Sequence, residues 1–164
     1  MPMDVKELIR YNHEVRRLYF EAISKLPWAV VVKPKGLSFD SIRNVFLHLT
    51  LVEDRWVNYI IPGCFSRWVD PDFNMFKDLD SLKKYVRDVE SRTLHYLEKL
   101  SLEELNREIV VPWGDKPDTR VRIEKVLTHM VFEDMIHYGE LSAALWQMDL
   151  EAPYKAFWRY QQQT

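Results

Sequence analysis

Apolar residues recur every three or four positions in four long stretches of the chain, which is the period of an amphipathic helix. In the first stretch Val5, Leu8, Ile9, Val15, Leu18, Tyr19, Ala22, Ile23 and Leu26 share one stripe. Asp4 is a candidate N-cap and Pro27 a stop, so a helix is predicted over 4–26. The connector 28–37 carries Ala29-Val30-Val31-Val32, a run that suggests a short extended piece, too isolated to make a sheet. The second helix starts near 38–41 and runs to about Ile60, with Ile42, Val45, Leu49, Val52, Trp56 and Ile60 as its stripe. Pro62-Gly63 closes it. Residues 61–79 lose the period but hold Phe65, Trp68, Phe73 and Phe76; so long a connection crosses the end of a bundle or covers a pocket.

A third helix is predicted over 80–100, on Leu82, Tyr85, Val86, Val89, Tyr96, Leu97 and Leu100. Ser101 and Glu104 have the spacing of a capping box and predict one more short turn. The stretch 108–119, which holds Val-Val-Pro-Trp-Gly-Asp, is irregular and suggests a short hairpin. The fourth helix runs from about Val121 to Met148, with Val126, Met130, Leu141, Ala144, Leu145 and Met148 as its stripe. Residues 153–163 have room for one short helix. No repeat, low-complexity segment or domain boundary interrupts the pattern. The expectation is an all-α fold, a four-helix bundle forming a single domain over 1–164.

The fourth helix breaks its own stripe. Glu133 and His137 fall inside the apolar arc and His129 at its edge, so the three stand at i, i+4 and i+8. A carboxylate on a core-facing stripe is costly unless its charge is compensated, and a divalent metal would compensate it. Acid and imidazole one turn apart project from one side of a helix. His48 sits at the edge of the second helix's stripe and can point into a bundle interior. His48, Glu133 and His137 are therefore the candidate metal ligands. Two imidazoles and a carboxylate suit zinc, and also nickel, iron or manganese. Three protein ligands would leave an open position, the pattern of a catalytic site.

The bland alternative is a hydrogen-bonded Glu133–His137 pair, with His48 filling the edge of a core. His129 is open between fourth ligand, supporting group and solvent-edge residue. Glu140 is a candidate for orienting a ligand imidazole. Asp134 also falls near the stripe and needs a partner such as an arginine. His13 and His95 fall off their stripes and are expected in solvent. Arg55 could receive an anionic group, although a surface salt bridge is the commoner use. Trp56 and the aromatic residues of 61–79 serve as pocket wall or as core.

The 164 residues are enough for one full core, and 47% of them are hydrophobic. The 23 Lys and Arg nearly balance the 25 Asp and Glu, for a net charge of −2, which argues against a nucleic-acid partner. Cys64 is the single cysteine, so no intramolecular disulfide can form. No apolar run approaches a membrane span, and the opening MPMDVKELIRYNHEV lacks the layout of a signal peptide. A cytoplasmic protein without membrane or nucleic-acid partners is expected.

Two segments carry a resemblance. Residues 41–56, SIRNVFLHLTLVEDRW, resemble the helix-2 motif of the DinB/YfiT-like superfamily, in which a histidine precedes an acidic residue and a tryptophan. Residues 127–141, LTHMVFEDMIHYGEL, resemble its helix-4 motif, in which histidines at two intervals of four lead into Arg-Gly-Gln-Leu. Tyr11-Asn12 and Pro153-Tyr154 also sit where that family has similar residues, so the resemblance spans essentially the whole chain. It implies up-down-down-up order, with the 61–79 connector as the long crossover between helices 2 and 3. It implies a divalent metal on one residue of helix 2 and two of helix 4, matching His48, Glu133 and His137. Glu133 replaces the commoner histidine, as in the mycothiol-dependent maleylpyruvate isomerase branch; Tyr138 and Glu140 replace the usual arginine and glutamine, which weakens any inference about substrate. The resemblance further implies a metal-dependent transferase, hydrolase or isomerase acting on a small molecule, with a low-molecular-weight thiol such as bacillithiol or mycothiol as co-substrate. A non-enzymatic metal- or ligand-binding stress protein is the alternative, and a homodimer is compatible with either.

Overall fold

The structure, a computed structural model, describes residues 4–113 and 119–160. Residues 114–118 of the expected hairpin, and 161–163 of the expected last helix, lie outside these residues. The long elements are helices: α1 (Val5–Ile23), α3 (Ile42–Arg55), α4 (Leu79–Lys99) and α6 (Ile123–Trp146). Two short helices, α2 (Trp28–Val31) and α5 (Leu102–Asn106), and an antiparallel pair, β1 (Glu108–Val110) with β2 (Arg120–Arg122), complete the all-α architecture.

Local chemistry sets the boundaries. Asp4 caps α1 by accepting from the Lys6 N–H at 2.9 Å. The helix closes earlier than the apolar stripe, at Ile23, where the Ser24 hydroxyl bonds back to the Phe20 carbonyl. Ala29–Val31, expected as extended, belongs instead to α2, which Pro27 opens; proline's fixed φ suits the start of a helix, and one turn costs few β-branched contacts. Asp78 and Ser81 cap α4 reciprocally. Ser101 caps α5 by accepting from the Glu104 N–H. Val121 pairs with Ile109 in the ladder, so α6 starts at Ile123 rather than at Val121.

The chain divides into two compact units, with α3 and α6 contributing to both. The first comprises 1–49 and 131–164. Its core includes Ile9, Ile23, Phe46, Leu47 and Leu141, all essentially without exposure. Tyr19 and Tyr138 stack at 4.8 Å between centroids, and the Tyr19 hydroxyl shares a hydrogen bond with Ser142. Arg16, fully buried, meets Asp134 at 2.8 Å, and the Asn12 amide donates to the same carboxylate oxygen at 2.6 Å. Asp134 thus has the arginine partner its position requires. His13 is buried at 8% exposure, not in solvent, because it lies on α1 beside this polar cluster's residues Asn12 and Arg16 rather than on the open face.

The second unit comprises 50–130. Here α3 continues into a π-helical turn, Trp56–Ile60, which Gly63 ends with a positive φ of 76°. Residues 61–78 hold two 3-10 turns, Phe65–Arg67 and Phe73–Met75. Asp54, nearly buried, accepts from Asn58, Tyr85 and Arg92 at 2.9–3.0 Å. Burial and the neighbouring Asp54 carboxylate push the Tyr85 hydroxyl far above the ordinary tyrosine range, so Tyr85 remains a donor. His95 is exposed, as expected.

Candidate functional site

His48 lies near the middle of α3 and is half-buried. His137 lies on α6 and is 8% exposed. Their rings meet edge to face, 4.9 Å between centroids, and both belong to the unit formed by 1–49 and 131–164. Two of the three candidate ligands named from the sequence thus lie side by side.

Phe39 closes one side. Its ring stacks on His48 at 3.8 Å and lies 5.6 Å from His137. It is delivered by a tight loop in which the Asp40 N–H bonds the Leu37 carbonyl and Asp40 takes a positive φ of 73°. Glu140 closes the other side. Its carboxylate accepts from the Ser38 hydroxyl at 2.7 Å and from the Ser38 backbone N–H, and it lies 3.1 Å from His137 Nδ1. Burial opposes ionisation of Glu140, but the two bonds from Ser38 and the His137 ring outweigh it, and its pKa falls below the ordinary glutamate value. An anionic Glu140 accepts a hydrogen bond from Nδ1–H, which leaves the lone pair of His137 Nε2 available to a ligand. That is how a metal-ligating histidine is commonly oriented.

The remaining candidates are placed differently. Glu133 stands one turn before His137 on α6 and is half-buried rather than enclosed. His129 is exposed. Among the described residues no three His, Cys, Asp or Glu side chains converge as a group able to hold a metal ion. Two donors of the expected triad are therefore brought together, and Glu133 is not joined to them as a third. Sequence reading missed Phe39 and Ser38, because 38–41 reads as a helix start while it forms the loop before α3. A Ser-Phe pair ahead of a helix carries no periodic signal.

The structure thus brings together, on a helical fold, two imidazoles from two helices with a carboxylate beside one of them. The family model described as the DinB family matches residues 1–163. The chain belongs to the DinB family. No curated protein matches it. No described helix is long and apolar enough to cross a membrane.

Proposed function

We propose that this DinB-family chain binds one divalent transition metal through His48, His137 and Glu133, zinc being the best match to the donor set, and uses it on a small molecule. The observation that carries the reading is the edge-to-face pair of His48 and His137 with Glu140 on the outer nitrogen of His137. Two imidazoles held that close in a buried setting are a natural chelate, and a side-chain rotation of half-buried Glu133 would add the carboxylate. Staggered side-chain wells give Glu133 alternative rotamers for that purpose.

When bound, such a metal lowers the pKa of a coordinated water or thiol and makes a nucleophile at neutral pH. The chain's own residues prepare for it. Glu140 fixes the tautomer of His137, Ser38 fixes Glu140, and Phe39 shields one face of His48 from water. The reaction class we infer is transfer, isomerisation or hydrolysis on a small molecule, with a low-molecular-weight thiol as the co-substrate that the resemblance implies.

Calorimetric titration with zinc and with nickel tests the binding. The account expects one site per chain, no site in His137→Ala, and weaker binding in Glu133→Gln. Unchanged affinity in His137→Ala would remove the proposal. Binding retained in full by Glu133→Gln would leave the imidazole pair and exclude Glu133 as the third ligand.

A further inference from the structure

The arginines that are buried or half-buried near carboxylates show how this protein treats guanidinium groups. Arg16 meets Asp134, and Arg92 meets Asp54 and Asp88, all at 2.9 Å or less. Arg55 is treated otherwise. It ends α3, is half-buried, and makes no ion pair or hydrogen bond to any described residue; its Nε is buried without an acceptor.

What Arg55 has instead is aromatic. Its guanidinium carbon lies 4.7 Å from the centroid of Trp113. Trp113 in turn packs on Trp56 at 5.1 Å and on Phe65 at 5.5 Å. Trp56 is buried, while Trp113 remains 41% exposed, so the group is open on one side. The π-helical turn begins at Trp56, immediately after Arg55, and such turns concentrate at functional positions. All of these residues belong to the unit 50–130.

A guanidinium stacked on a ring uses its face, and its in-plane N–H donors stay available as a fork that matches a carboxylate or phosphate. A half-buried cation without a counter-charge is unfavourable on its own. Burial indeed draws the Arg55 pKa below the ordinary arginine value, and the Asp70 carboxylate opposes this only from beyond ion-pair range. Asp70 is itself bonded by the Trp68 indole at 2.9 Å. The aromatic wall also keeps water away from one side of the charge, which strengthens any ionic hydrogen bond formed there.

We propose that Arg55, with Trp113, Trp56 and Phe65, forms a binding site for the carboxylate or phosphate group of a small anion that has an apolar body. The anion supplies the counter-charge that the described residues do not, and the rings take its apolar part. The proposal uses none of the candidate metal ligands and stands or falls apart from them.

The test is a titration of the full chain with benzoate, inorganic phosphate and the uncharged analogue benzamide. It is read on the Arg55 Nε–Hε resonance and on tryptophan fluorescence. A saturable shift with benzoate or with phosphate, absent with benzamide, is expected; which anion binds more tightly names the group. Arg55→Lys, which keeps the charge but loses the planar fork, should weaken binding by about tenfold or more. Arg55→Met should abolish it, and Trp113→Leu should weaken it with the charge intact, provided each variant keeps the wild-type helical spectrum. No saturable shift with either anion at tens of millimolar would overturn the proposal. So would equal binding of benzamide and benzoate, or wild-type binding by whichever of these variants folds.

Discussion

Arg16 and Asp134 show how much a single side chain can decide. Both are buried, and Asp134 takes donors from Arg16 and Asn12 on one oxygen. Arg16→Met leaves a buried carboxylate with its main counter-charge gone, and a loss of about 3–5 kcal/mol is expected. Denaturant unfolding measures it, and the double variant Arg16→Met with Asp134→Leu should recover much of that loss. The same scale explains what the sequence could and could not disclose about the site. An acid or imidazole on an apolar stripe is visible as a break in a period, which is why Glu133, Asp134, His137 and His48 stand out unaided. The exact depth is not visible: Glu133 is half-buried where the arc places it inside, and His13 is buried where the arc places it outside. Periodicity resolves a face only to about one residue, or about 100°.

Helix ends carry the information at the scale of elements. Asp78 caps α4, and its bonds from the Ser81 backbone and hydroxyl hold its pKa below the ordinary value of 3.8. A lowered folded-state pKa means that the anion stabilises the fold above the unfolded value and loses that effect as pH falls through the folded one. The stability gap between wild type and Asp78→Ala should thus be constant at neutral pH and narrow below about 3.8, followed by thermal melts across that range. At the other end of the chain, α6 closes on Asp149 with φ 56°. The Asp149 N–H bonds the Trp146 carbonyl and the Leu150 N–H bonds the Leu145 carbonyl. This closure usually employs glycine. Asp149→Gly should therefore stabilise the protein by up to about 1 kcal/mol, and unchanged or lower stability in thermal melts would contradict the strain. The caps at Asp4 and Ser101 concern pairs of residues close in sequence and were legible, whereas the Asp78 cap was not singled out and the helix was expected to start at residue 80. The π-helical turn after Arg55 and the loop that delivers Phe39 were not, because a widened turn and a positive φ at Asp40 leave no repeating trace.

Across the whole molecule, four periods of apolar residues translate into four long helices, and the connectors between them into short turns and one small ladder. That much follows from spacing alone, since a helix exposes or buries by position. The meeting of His48 with His137 does not follow from spacing, because the two residues stand on different helices with most of the chain between them. Stripe positions offered it only as one of two readings, beside a His48 that fills the edge of a core, and the resemblance of whole segments to the DinB pattern favoured it. The account rests on that meeting having a chemical purpose. The measurement that tests it most directly is elemental analysis of the untagged protein, reconstituted with zinc and freed of excess metal, beside His48→Ala. Near one equivalent in wild type and essentially none in the variant is the predicted result. No retained metal in wild type, or equal retention in both, would contradict it and reduce His48 and His137 to a packed pair of rings.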